Sequence, residues 1–376
     1  MSAPERLSDA LAALAARGRL RHLAPAGGLD FASNDYLGLA GSHLLRVAAA
    51  EALARGVRLG SGGSRLLRGN HPEHEALEAE AARFFGTEAA LYMGGGFQAN
   101  QAIFATLPAQ GDLVLHDALI HASAHEGMRL GRAETRAFPH NDVAAAGALL
   151  RDWRRAGGRG QVWIAVESVY SMEGDLAPLA DFAALAREDG AILVVDEAHA
   201  TGVFGPQGRG LAQGLNARVL SLHTCGKALG VSGGLICGAR VMIDTLVNRA
   251  RPFIFATAPA PFSAALVRAA LTTLQEHPTL IRAAQDRIAF ARTEAQRLCG
   301  LACPNSQIIP VLTGTDARTM SLARALQAQG FDVRGIRPPT VPRGTARLRI
   351  SITGGVKAAD ITALFTALAA LQDTTP

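Results

Sequence analysis

Lys227 is the side chain of this sequence best placed for covalent chemistry. An apolar and β-branched run, Val219 to His223, gives way to Thr224, Cys225 and Gly226, then Lys227, with Gly230, Gly233 and Gly234 close behind. A lysine held in such a turn can lose solvation, lower its pKa and act as a nucleophilic amine or Schiff-base former. Alone it reads equally well as a surface lysine in a loop. Upstream, Ala191 to Asp196 is an apolar run that ends in a carboxylate, followed by Glu197, Ala198 and His199. Asp196 and His199 therefore fall just past the carboxyl end of a buried strand, where open α/β sheets bind ligands. A strand-terminal Asp also serves as a helix cap. An amine with an acidic partner is what pyridoxal phosphate chemistry requires: the lysine for the Schiff base, the acid for the pyridinium nitrogen.

Other candidates lie on turns. Gly94-Gly95-Gly96-Phe97 leaves a strand and opens a helix, so its backbone N–H groups and positive dipole end suit a phosphate; a triple glycine is also simply a turn. Gly60 to Arg65 is glycine-rich, but no GK[ST] follows and a P-loop is excluded. His121 starts a helix, where a cap is the plainer reading. Ser171 sits in a polar strand-to-helix turn, and Asn34 in an Asx-type turn. Arg349 alternates with Arg347 on one face of a strand, and either guanidinium could clamp a carboxylate. No HExxH or Cys/His ligand spacing occurs, so no metal is expected.

The elements that must position these residues can be read from periodicity. Strands and helices alternate from about Glu88 to Gly238, the sign of a mainly parallel sheet covered on both faces. Residues 5 to 22 read as a helix, and Pro72 opens another that Gly86 is placed to end. Beyond Gly238 come helices, a strand from Ile308, a helix over 318–329, strands near Phe331 and Leu348, and a last helix from Ala358. The chain has 376 residues, 49% hydrophobic and 18% charged, which suits a globular protein of two domains. A net charge of +5 could attract anionic ligands. The absence of a basic–aromatic cluster argues against nucleic acid. Four cysteines without a CxxC pair suggest reduced thiols in the cytoplasm. The N-terminus lacks the features of a signal peptide, and no segment is apolar for long enough to span a membrane.

VVDEAHATGVFGPQGRG and TCGKALGVSGG, with SNDYLGL, GSGGSR and SMEGD, resemble the α-oxoamine synthase family of fold-type I pyridoxal phosphate enzymes, over about Asn34 to Thr353. The resemblance implies an α/β fold with a mainly parallel central sheet, helices on both faces and a smaller α+β C-terminal domain. The expected division is an N-terminal segment 1–40, a large cofactor-binding domain 41–238 and a small domain 239–376. It implies pyridoxal 5'-phosphate on Lys227, with Asp196 at the ring nitrogen, His121 on the ring face, and His199 and Ser171 near the phenolic oxygen. Thr224 joins this cofactor set. Gly96 and Phe97 would hold the phosphate together with Thr257 of a neighbouring subunit, in a homodimer with shared active sites. Lys227, His121, Asp196 and His199 form the expected catalytic group. Asn34, Arg349 and Arg21 would contact substrate. Gly95 replaces the family's usual serine and Ala256 another, and the segment between the first helix and Asn34 is short. IRPPTVP followed by GTARLR points to the member that joins L-alanine to pimeloyl-CoA or a pimeloyl carrier protein and releases carbon dioxide on the route to biotin. A relative using glycine or serine with another acyl-CoA, or an aminotransferase on the same fold, is the alternative.

Overall fold

The structure is a computed structural model that describes residues 2–374. Contacts divide the chain into two compact units. One comprises Met1–Ser33, Met172–Gly174 and Asp286–Pro376; the other comprises Asn34–Ser171 and Asp175–Gln285.

The first unit opens on the helix Ala3–Ala16. Ser2 caps it, with the Ser2 hydroxyl accepting from the Glu5 backbone N–H and the Glu5 carboxylate accepting from that of Ser2, a reciprocal capping box. The helix is shorter than the sequence suggests. It stops at Arg17 because Gly18 takes a positive φ of 63°, and the basic residues beyond it are not helical. A two-residue strand follows, β1 (Leu29–Asp30).

The second unit is built on seven strands: β2 (Ala89–Met93), β3 (Leu113–Asp117), β4 (Glu134–Phe138), β5 (Val162–Glu167), β6 (Ile192–Asp196), β7 (Arg218–Thr224) and β8 (Gly234–Gly238). Their order across the sheet is β2-β8-β7-β6-β5-β3-β4, and only β8 runs antiparallel to its neighbours. The sheet is thus mainly parallel, as the alternation implied. Successive residues of β6 serve opposite faces, as pleating requires. Ile192 and Val194 join Ile103, Phe104 and Trp163 on one side. Leu193 and Val195 join Ile164, Phe182 and Trp153 on the other. Helices Gly96–Thr106 and Ala122–Leu130 supply the first layer, and Val143–Arg155 and Leu179–Asp189 the second. Register sets Glu167 beside Asp196 and Asp196 beside Leu222, so the carboxyl ends of β5, β6 and β7 form one rim.

The first unit is completed by β9 (Ile308–Gly314), β10 (Phe331–Asp332), β11 (Arg334–Ile336) and β12 (Ala346–Ser351). Strand β10 pairs in parallel with β1, and β11, β12 and β9 form an antiparallel sheet with β12 central. Phe31, Leu322, Ile350 and Phe365 lie in its core.

Candidate active site

Lys227 sits on a loop closed by its own backbone. Cys225 N–H donates to Gly233 O, Val231 N–H to Cys225 O and Gly230 N–H to Lys227 O, each at 2.9 Å. Gly233 has φ +108°, and a Cβ there would lie 2.3 Å from the Tyr92 ring, so this position needs glycine both for its backbone and for the close approach. The Tyr92 hydroxyl locks the same corner by donating to Ser232 O at 2.8 Å.

A cavity of ≈ 400 Å³ opens at the rim of the sheet, and Asn34, Gly96, Phe97, His121, Asp196, His199, Thr224 and Lys227 all line it. Lys227 Nζ is 2.8 Å from His199 Nε2. His199 is buried, and its Nδ1 lies 2.6 Å from the Tyr36 hydroxyl. Asp196 Oδ2 accepts from Asn100 Nδ2 at 2.8 Å, and Oδ1 accepts from the Ala198 N–H at 3.0 Å. The second Asn100 hydrogen goes to Ser123 Oγ at 2.9 Å, and that oxygen is 2.7 Å from His121 Nδ1. A chain of buried polar groups thus links the carboxylate to the imidazole across two helices. His121 caps its helix by accepting the Ser123 N–H at Nδ1, which places its proton on Nε2. Burial lowers the His121 pKa; Asp196 opposes this and Lys227 adds to it, and the ring stays neutral near pH 7.

The helix Gly96–Thr106 starts at the cavity without a side-chain cap. Its leading N–H groups have no intrahelical partner. A Cβ at Gly96 would stand 2.5 Å from Thr224 Cγ2, so the missing side chain lets the helix end meet β7. The Thr224 hydroxyl donates to Ala198 O at 3.2 Å. Phe97 is half exposed and stands edge-on to His121, with ring centroids 6.4 Å apart.

Glu197 turns away from this cluster. It is fully buried and accepts from Ser168 Oγ at 2.7 Å and from the Ala212 N–H. Burial outweighs these bonds and pushes its pKa up to about 7.

Ser171 and Thr257 do not line the cavity. Ser171 is buried, with its N–H on Glu167 Oε2 at 3.1 Å. Thr257 is exposed, beside Ala258, whose N–H donates to Gly63 O. Arg21 and Arg349 belong to the other unit. Arg21 is exposed. Arg349 is buried on β12 and donates to Ser351 Oγ at 2.7 Å. Arg347 is engaged by Glu173 Oε1 at 2.9 Å and by Met172 O at 3.1 Å. Sequence reasoning assigned no role to Tyr36, Asn100 or Ser123. Their only signal was proximity: Tyr36 is two residues from Asn34, Ser123 two from His121, and Asn100 one helical turn past Gly96.

Residues 26–368 match the aminotransferase class I and II family. The chain is 45% identical to an 8-amino-7-oxononanoate synthase from Methylobacterium nodulans, over 91% of this chain and 86% of that protein. It is 42% identical to the enzyme of that name from Anaeromyxobacter dehalogenans, over 97% and 95%. Among solved structures, a serine palmitoyltransferase variant from S. paucimobilis with a bound PLP–myriocin aldimine superposes with a TM-score of 0.87 at 27% identity, covering 98% of each chain. The chain belongs to the class I and II aminotransferase family and, within it, to the α-oxoamine synthases. Its architecture is that of the fold-type I transferases.

Proposed function

We propose that this protein is a pyridoxal phosphate-dependent acyltransferase. It condenses L-alanine with a pimeloyl thioester, of coenzyme A or a carrier protein, to give 8-amino-7-oxononanoate, carbon dioxide and the free thiol, a step toward biotin. The observation that carries the reading is the convergence of the Lys227 amine, the Asp196 carboxylate and an uncapped helix N-terminus on one cavity. The names of its relatives supply the product, and the family resemblance supplies the acyl donor.

The residues present fit the cofactor. Lys227 would carry it, Asp196 would face the ring nitrogen and His121 the ring, and the N–H groups at Gly96 and Phe97 would receive the phosphate. The helix that starts at Gly96 has no side-chain cap, and Gly96 and Phe97 line the cavity. When bound, pyridoxal 5'-phosphate supplies an electron sink for charge at the amino acid's α-carbon. Asp196 would turn its carboxylate to the ring nitrogen, and Asn100 and the Ala198 N–H hold that carboxylate in place. Lys227 Nζ would also serve as the general base for the α-proton. His199 holds that nitrogen. His121, neutral and fixed by Ser123, covers the site without adding charge. From the family resemblance, Arg349 would hold the alanine carboxylate, Asn34 and Arg21 would contact substrate, Ser171 would stand near the phenolic oxygen, and Thr257 would serve the phosphate of a second subunit in a homodimer. The proposed compartment is the cytoplasm; among the described residues no helix is long and apolar enough to cross a membrane.

The test is incubation with L-alanine and pimeloyl-CoA. Carbon dioxide release with a product of the mass of 8-amino-7-oxononanoate is expected. Release of a keto acid without carbon dioxide would identify an aminotransferase, and turnover only with glycine or serine would identify another synthase.

A further inference from the structure

The loop 197–212 leaves the end of β6 and returns to the residue it started from. At the outset the Glu197 carbonyl accepts from the Ala200 N–H at 3.0 Å and from the Thr201 N–H and hydroxyl at 2.9 Å each. At the return the Glu197 carboxylate accepts from the Ala212 N–H, and the Leu211 N–H adds a further bond. Gly210 bends around that carboxylate: its φ is +93°, and a Cβ there would stand 2.6 Å from Glu197 Oε2. Two bonds tie the loop across its middle, Gly202 N–H to Gly208 O at 2.7 Å and Gly210 N–H to Phe204 O at 2.9 Å. His199, with Nε2 at 2.8 Å from Lys227 Nζ, lies inside this closed loop. So does Gly202, where a Cβ would be 2.7 Å from the Cβ of Ala228, the residue after Lys227.

We infer that Glu197 is a positioning residue: its carboxylate clasps the loop 197–212 shut and so sets His199 against Lys227. The inference rests on the proposed function only for the use made of Lys227; the clasp is a feature of the fold. Glu197 is fully buried, and a buried donor left without its acceptor costs more than the bond itself contributed. Removing the carboxylate therefore frees the return of the loop. Shape, not charge, makes the clasp. One oxygen faces the Ala212 N–H, and the other faces the Ser168 hydroxyl at 2.7 Å. That hydroxyl donates to a carboxylate and accepts from an acid or an amide. A glutamine oxygen has two lone pairs for the Leu211 and Ala212 N–H groups, while its NH2 donates to Ser168. Methionine fills a similar volume but offers no strong acceptor.

Hydrogen exchange of the full-length protein without cofactor, followed by mass spectrometry, reads the loop directly. In the wild type, the peptide containing Ala212 should exchange slowly. In Glu197→Met, peptides covering 199–212 should exchange about tenfold faster, with those of β3 and β5 unchanged; Glu197→Gln should follow the wild type. In the cofactor-loaded protein, alanine α-proton exchange per bound cofactor should fall about tenfold in Glu197→Met and stay within about twofold of wild type in Glu197→Gln. In a His199→Gln background, Glu197→Met should cost nothing further, because Glu197 acts through His199; a general loss of folded structure would instead add in full. A wild-type Ala212 amide that exchanges as fast as open chain overturns the inference even if neither variant folds. Glu197→Gln as damaging as Glu197→Met, unchanged exchange over 199–212 in Glu197→Met, or full additivity with His199→Gln also overturns it. Failure to form product from alanine and pimeloyl-CoA would instead overturn the proposed function and leave the hydrogen-exchange result intact.

Discussion

Lys227 and Lys357 divide the lysine chemistry of the whole chain between them, and only Lys227 lies in the cavity with a carboxylate and an imidazole. Borohydride treatment of the cofactor-loaded protein should therefore fix the label on the peptide containing Lys227. Lys227→Ala should abolish both the label and the visible band. Its alanine α-proton exchange should fall by about 10²–10⁴-fold, the usual contribution of a positioned general base. Label on Lys357 would remove Lys227 from its role. The residues that make this amine useful belong to distant stretches of chain. Tyr36 meets His199 across 163 positions, and Asn100 meets Asp196 across 96. Lys227, Asp196 and His199 could be recognised from the sequence because Asp196 ends β6 and the other two follow within three residues of a strand end, where apolar runs break into chemistry. Asn100 could not: a short polar residue in a helix next to a glycine turn has no periodic signature, and its bond to Asp196 exists only once β6 and that helix pack together.

At the scale of elements, the sheet rim is held by a second polar cluster. His140 Nδ1 lies 3.0 Å from Asp117 Oδ1, at the end of β3, and Nε2 lies 2.8 Å from Asp175 Oδ2 in the turn beyond β5. Burial alone would lower the His140 pKa, but the two carboxylates outweigh it and raise it from 6.5 to about 10. Burial would likewise raise Asp117, yet bonds from His140, Asn141 N–H and Leu119 N–H hold it below the ordinary carboxylate range. A raised histidine binds its proton more tightly in the folded state. Its stabilisation is fully present below the unfolded value near 6.5 and disappears as pH rises through about 10. His140→Asn should therefore flatten the loss of stability between these limits, measured by urea unfolding against pH; parallel curves for the two proteins would show that His140 is uncharged. At the start of the helix Gly96–Thr106, Gly95 has an extended backbone (φ 179°, ψ 166°), and a Cβ there would meet nothing within 4 Å. Gly95→Ser should restore a hydroxyl at the helix start and slow cofactor loss on dialysis by about tenfold, through one charge-assisted hydrogen bond to phosphate. Unchanged retention would move the phosphate elsewhere. The central strands were legible from their apolar runs, but β4 was not: four of its five residues are exposed or half exposed, as suits an edge strand, and this leaves little hydrophobic pattern to read. The first helix was read too long because Arg17, Arg19 and Arg21 suit a helix end, while the residue that stops it is Gly18.

At the scale of the molecule, charge separates the two proposed substrates. Lysines and arginines number 37 against 32 acids, and all but two of the bases are arginine. The resulting net charge of +5 acts over distances set by salt. The Debye length is about 10 Å at 0.1 M and about 3 Å at 1 M. Pimeloyl-CoA carries several phosphate charges and a free carboxylate, so a positive protein draws it in over a long range. L-alanine is a zwitterion and feels little of that field. Raising salt from 0.05 to 0.5 M, on the order of a threefold fall in Debye length, should therefore lower kcat/KM for pimeloyl-CoA by about tenfold, the lower end of electrostatic steering. Over the same range kcat/KM for alanine, measured at saturating thioester, should hold steady. Arginine does not lose its charge at high pH, so the salt effect should persist at pH 9. An equal fall for both substrates would indicate a general effect of salt on the folded enzyme. A flat response for the thioester would mean that the excess arginines lie away from its path. A carrier-protein thioester with an acidic surface should show a steeper salt dependence than the coenzyme A form, and comparing the two slopes under identical conditions shows whether the whole positive surface or only a local patch receives the acyl donor.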